Sequence, residues 1–240
     1  MSFWDHLEDL RKSIIRVVLA VVGATVFLFL FKNFLFDGII LAPADGKSIF
    51  FRLIGADFSI DLVNLEVAAQ FMIHMKVTFI CALILTFPYL VFELWRFVAP
   101  ALYEKEKGAV RGAFSFASVL FYLGLAVGYF IILPVMLNFF AGYQVSADVP
   151  NTFSLSSYIS LFTSTIMTFG LVFEFPTIVA ILSALGLVTR EMMREYRRHA
   201  ICAVVIVAAL ITPSGDPFSL LVCTVPLYML YEFSIFVCRK

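Results

Sequence analysis

Charge is scarce in this chain. Asp, Glu, Lys and Arg make up 14% of its 240 residues, against 62% hydrophobic, whereas a soluble domain usually carries about 25% charged residues. A globule of this size cannot hide so much apolar surface behind so thin a polar shell, so a water-soluble fold is excluded. The two signs balance at 17 each, and no basic excess argues for a nucleic-acid partner. Catalytic signatures are missing too. There is no Gly-x-Ser-x-Gly, no His-Glu-x-x-His and no phosphate-binding loop, which argues against an intramembrane protease or an ATPase. The four cysteines, Cys81, Cys202, Cys223 and Cys238, lie in or beside apolar blocks without metal-ligand spacing, and are expected to be reduced packing residues. His6, His74 and His199 have no metal spacing either, and structural roles are expected for them. No metal, no cofactor and no enzymatic activity are expected.

Apolar runs are what the chain has instead. They come in blocks of about twenty residues, the length a helix needs to cross roughly 30 Å of hydrocarbon. In lipid every backbone N–H and C=O must be paired within the protein, which leaves helices and closed barrels. Continuous rather than alternating blocks select helices. The expected fold is an all-α integral membrane protein, a single polytopic domain over residues 1–240. Its six spans are expected at about 17–36, 71–98, 113–133, 158–187, 200–212 and 218–237. The arm Met1–Lys12 is amphipathic, and no small-residue cleavage site follows the first apolar block, so that block is expected to stay as a span. The fifth and sixth spans are expected to be short. The fifth has only about thirteen residues between His199 and Pro213, roughly 20 Å of helix, which predicts local thinning of the bilayer. Pro134 is expected to end the third span. With Pro88, Pro176 and Pro226 it predicts a curved bundle rather than straight rods.

Lys and Arg placement sets the expected orientation. Thirteen of the seventeen fall in the N-terminal arm, the loops after the second and fourth spans, and the tail; Lys32, Lys47, Arg52 and Lys76 are the other four. Both termini are therefore expected in the cytoplasm.

Several residues stand out against this background. Glu174 sits inside the apolar stretch 169–176, where a carboxylate needs a partner, a proton or water. Helical spacing sets Thr163, Met167, Gly170, Glu174 and Thr177 on one stripe, which should face the protein interior or a water-filled groove. The plainer alternative is a neutral Glu174 bonded to a neighbouring helix. Glu93 and Glu232, near span ends, read as snorkelling groups or ordinary ion pairs. Gly124-xxx-Gly128 is a small-xxx-small pattern for close helix packing. Glu8, Asp9, Glu104 and Glu106 mix acids among the bases of the cytoplasmic side. They form either a solvated face or an acidic receptor for a basic peptide, because carboxylates match the guanidinium fork.

These motifs, taken in order, resemble the TatC family, the multispanning subunit of the twin-arginine protein translocase. His6-Leu7-Glu8-Asp9-Leu10-Arg11 is similar to the family's His-Leu-x-Glu-Leu-Arg, with Asp9 where the family has glutamate and Glu8 in the variable position. Trp95 through Tyr103, followed by Glu106, resembles its most characteristic loop. Phe169-Gly170, Phe173-Glu174 and Pro176 resemble its fourth span, Thr212-Pro213 with Asp216 its last outer turn, and Pro43 its first outer loop. The resemblance covers the chain end to end. It implies a receptor in the bacterial inner membrane for twin-arginine signal peptides. Working with single-span TatA/TatB-type subunits in a multi-copy complex, it would export folded proteins on the proton-motive force. By the same resemblance Asp9 or Glu8, together with Glu106, would contact the arginine pair, with Phe97 and Tyr103 shaping the site. Glu174, Thr163 and Thr177 would line a groove for partner helices or the signal's apolar stretch. The competing readings are a proton-coupled small-molecule secondary transporter, which would need paired hydropathy halves that the chain lacks, an intramembrane enzyme, and a structural scaffold.

Overall fold

Runs rich in Leu, Ile, Val and Phe leave the backbone no partner but itself in lipid, so the chain winds into long helices. The computed structural model describes residues 3–44, 60–101, 104–146, 148, 151–212 and 215–238. Helix α1 (Phe3–Leu30) is followed by the short α2 (Lys32–Leu35) and a π-helical turn, Phe36–Ile40. Then come β1 (Leu62–Val63), α3 (Ala69–Val98) and α4 (Glu104–Val127). A second π turn, Gly128–Ile132, runs from α4 into α5 (Leu133–Gly142). After β2 (Phe153–Ser154) come α6 (Leu155–Val172), α7 (Phe175–Ala184), α8 (Arg190–Glu195), α9 (Arg197–Ile211) and α10 (Pro217–Val237).

Five stretches are long and apolar enough to cross a membrane: His6–Leu30, Ala69–Val98, Val110–Gly142, Leu155–Ala184 and Pro217–Val237. The protein is a multi-pass helical membrane protein. Helix α9, over the expected fifth span, has 15 residues, about 22 Å, and falls short of that length. Three expectations need correction. The sixth span is not short, because α10 has 21 residues and continues past Pro226. Pro134 does not end the third span. It lies in the first turn of α5, where its missing N–H costs nothing, and the π turn before it absorbs the change in register. The first span begins earlier than 17, since the amphipathic arm is continuous with it in α1. A parallel pair, Leu62 with Phe153 and Val63 with Ser154, was not foreseen.

Neighbouring helices pair antiparallel. Along α1 and α3, His6 stacks on Phe97, Arg16 bonds Glu93 and Phe29 stacks on His74. Along α3 and α4, Trp95 meets Phe114 and Phe87 stacks on Phe121. Gly124 and Gly128 let α4 lie directly against α6, and Arg197 to Glu232 marks the α9–α10 hairpin. Most of the described Arg side chains, including Arg11, Arg96, Arg111 and Arg197, gather at the end of the bundle where α1 begins and α10 finishes, called here the basic end.

Tyrosines satisfy the carbonyls that helix defects expose. Pro88 cannot donate to the Ile84 carbonyl, and the Tyr122 hydroxyl donates to it instead at 3.0 Å, bridging α4 to α3. At the opposite end Tyr129 and Tyr158 donate to the Ile39 and Ile40 carbonyls of the π turn, at 2.8 and 2.6 Å. That turn packs into the largest core, with Ile73, Val77, Leu137, Ile159 and Phe162.

Two predictions follow from this packing. A Cβ at Gly124 would collide with the Phe169 carbonyl and lie 2.7 Å from the Phe173 side chain, whereas nothing lies within 4 Å at Gly23. Gly124→Ala should therefore cost about 1–3 kcal/mol in detergent-solubilised unfolding, while Gly23→Ala leaves the midpoint unchanged. Tyr122→Phe strands the Ile84 carbonyl and should cost about 1–3 kcal/mol by the same measurement; an unchanged midpoint would mean another group satisfies that carbonyl.

Candidate functional site

At the basic end the arm of α1 is held helical by an i, i+4 pair, Lys12 Nζ to Glu8 Oε1 at 2.9 Å. The pair is largely exposed, and solvent screening leaves it little weight in stability. Asp9, one residue on, is exposed. Phe97, one turn before the motif loop ends, stacks on His6 with ring centroids 4.3 Å apart. The N-terminal motif and the Trp95 loop, remote in sequence, thus meet at one place. Tyr103 and the Glu106 side chain lie outside the described residues; the Glu106 backbone belongs to the first turn of α4.

Beneath this surface sits a polar cluster that sequence reasoning undervalued. Glu93 is 3% exposed and faces α1. Its Oε1 accepts from Arg16 Nε at 3.0 Å and from the Tyr89 hydroxyl at 3.1 Å. Its Oε2 accepts from Arg16 Nη2 at 2.7 Å, which also donates to Ser13 Oγ at 3.0 Å. This is a two-point guanidinium–carboxylate fork, and not a snorkelling group. The signal was present in the sequence: Tyr89 precedes Glu93 by one turn, and Tyr228 precedes Glu232 in the same way. Glu232 likewise takes an Arg from a neighbouring helix, Arg197 Nη2 at 2.7 Å, and the Tyr228 hydroxyl at 2.9 Å.

The intramembrane acid is placed by a helix break. Helix α6 ends at Val172 and α7 starts at Phe175, with Pro176 in its first turn, where proline needs no hydrogen bond. Glu174 lies at the break, half-buried. Its Oε1 and the Thr177 Oγ1, both buried, have no hydrogen-bond partner among the described residues. Pro176 and Thr177 border a largely apolar cavity of about 540 Å³, walled by Phe116 and Leu120 of α4, Ala180 of α7 and Phe233 of α10. The other stripe residues behave differently. Thr163 is buried and donates to its own Ile159 carbonyl at 2.7 Å, and Gly170 is filled by Phe121 and Leu125 of α4. The break divides the stripe, with Glu174 at the break and Thr177 in the first turn of α7.

Pro43 is fully buried, and Asp216 caps α10, its Oδ1 accepting from the Ser219 N–H at 2.7 Å. Among the described residues no three His, Cys, Asp or Glu converge on a possible metal site.

The family model described as Sec-independent protein translocase protein (TatC) matches residues 5–226. The TatC of Blattabacterium sp. subsp. Periplaneta americana is 37% identical over 252 residues, covering 99% of this chain and 94% of that protein. The TatC of Escherichia coli (strain K12) is 31% identical, with 98% and 86% covered. A crystal structure of a TatC described as a twin arginine translocase receptor superposes with a TM-score of 0.77 at 30% identity, covering 97% of each chain. A second TatC structure, in the detergent DDM, reaches a TM-score of 0.81 at 28% identity. With its fold and nearly its whole length matched, the chain belongs to the TatC family of protein translocase subunits.

Proposed function

We propose that this translocase subunit is the receptor for signal peptides carrying consecutive arginines, lying in a bacterial inner membrane with both termini in the cytoplasm. In this reading α9 crosses a locally thinned bilayer as a sixth span. The excess of Lys and Arg at the basic end supports that orientation. The observation that carries the receptor reading is the stack of His6 on Phe97, which joins the acidic arm holding Glu8 and Asp9 to the segment leading to Tyr103 and Glu106. Carboxylates there suit guanidinium groups, because each can accept two parallel N–H bonds and an ammonium cannot reproduce that fork.

The cavity beside Thr177 supports the second half of the reading. It is apolar and bordered by Thr177, whose buried hydroxyl has no hydrogen-bond partner among the described residues, three positions from Glu174. Such a site fits an apolar helix bearing a polar group: the signal's hydrophobic stretch, or a single-span TatA/TatB-type partner. Several copies of this chain with such partners, energised by the proton-motive force, would then move folded cargo.

Each charge-assisted hydrogen bond contributes about 1.5–3 kcal/mol, so Glu106→Ala should weaken a twin-arginine peptide by about tenfold or more. Titration of purified protein with the labelled peptide reads this, and wild-type affinity in the variant would refute the receptor reading. Glu174→Ala should impair partner cross-linking and export while abundance in the membrane stays normal. Loss of the folded protein instead would make Glu174 a packing residue.

A further inference from the structure

We propose that Arg16 and Glu93 are positioning residues for the arginine-recognising end: their ion pair locks the depth and rotation of α1 against α3, and so holds the acidic arm beside Phe97. The inference rests on the receptor reading above for its functional consequence, although the lock itself does not.

Helix α1 needs such a device. Only 6% of its membrane window is buried, and Ile14, Ile15, Val18, Leu19 and Val22 all face outward. Its packing is chiefly against α3. In lipid, apolar contact alone gives little preference for one register over another, because hydrocarbon is as good a neighbour as leucine. The fork between Arg16 and Glu93 is directional. Two donors on one planar group meet two oxygens of one carboxylate, at 3.0 and 2.7 Å, which fixes rotation as well as depth.

Position along the helix links this lock to the site. Asp9, Ser13 and Arg16 lie at i, i+4 and i+7, one stripe of α1, and Arg16 is about 10 Å below Asp9 along the axis. On α3, Phe97 lies one turn beyond Glu93. The stripe that reaches Glu93 therefore carries Asp9 toward Phe97, and His6 completes the register by stacking there. Glu93 is not itself a candidate for the incoming arginines. It is 3% exposed, with Arg16 and Tyr89 bonded to its oxygens, and it acts through α1.

The test uses three forms of the full-length protein: Arg16→Lys, Glu93→Gln and the double exchange Arg16→Glu with Glu93→Arg. Spin labels on non-natural ketone residues at Leu7 and Leu94, both exposed, report the α1–α3 distance and leave the native cysteines in place. The single variants should broaden that distance distribution and weaken a twin-arginine peptide about tenfold, with the thermal midpoint of the bundle above assay temperature. The exchange should restore both. An unchanged distance distribution overturns the lock. A broadened distribution with wild-type peptide affinity overturns the positioning role. If the wild type itself binds no twin-arginine peptide, the receptor reading fails and the positioning role with it, while the distances still decide the lock.

Discussion

Lipid offers no hydrogen bonds, and the structure is organised around that constraint. At several places where a helix departs from regularity or ends, a tyrosine from another element donates to an exposed carbonyl. Tyr122 covers the carbonyl freed by Pro88. Tyr129 and Tyr158 cover the π turn that ends the first hairpin, and Tyr231 donates to the Met193 carbonyl at 2.6 Å near the basic end. Tyrosine suits this work because its ring is apolar and its hydroxyl reaches far from the backbone. These bonds also tie one helix to another, so satisfying a defect and assembling the bundle are a single event.

The same constraint separates two kinds of acid. Glu93 and Glu232 are each held by an arginine and a tyrosine, and for the buried Glu93 removing a partner would leave a poorly hydrated charge. They are built into the fold. Glu174 is not. It sits where a helix breaks, two residues before Pro176 and three before Thr177, which border a cavity, and its Oε1 is buried without a hydrogen-bond partner among the described residues. A buried carboxylate oxygen without a partner is costly in a membrane protein, and the apolar cavity bordered by Pro176 and Thr177 lies next along the chain. Glu8 and Asp9 at the basic end follow a third logic: both are exposed, on an arm that a ring stack joins to Phe97.

Much of the fold was legible because hydropathy and membrane thickness leave few choices. The long blocks were read as helices, and Pro176 was rightly placed beside a bend. The errors concern prolines and ends. Pro134 and the sixth span were misjudged because a helix in lipid tolerates proline at a first turn or past a kink rather than stopping. The amphipathic arm was cut from α1 because its charges mask a helical pattern that continues unbroken from Phe3. The site was less legible. Motif resemblance nominated Asp9 and Phe97, and an acid inside an apolar run nominated Glu174, but no local pattern reveals that His6 meets Phe97 or that Arg16 reaches Glu93 across 77 positions. Those facts depend on which helices pair and in what register. The break at Glu174 also divided a stripe that uninterrupted helical spacing would keep whole.

The account turns on recognition of paired guanidinium groups at the basic end. The most direct measurement places this chain, with its partner subunits, in cells that lack their own TatC and asks where a folded fluorescent reporter accumulates. A twin-arginine signal should carry the reporter across the membrane, and the same signal with both arginines changed to lysine should leave it in the cytoplasm. Equal export of the two, or export of neither, would contradict the account.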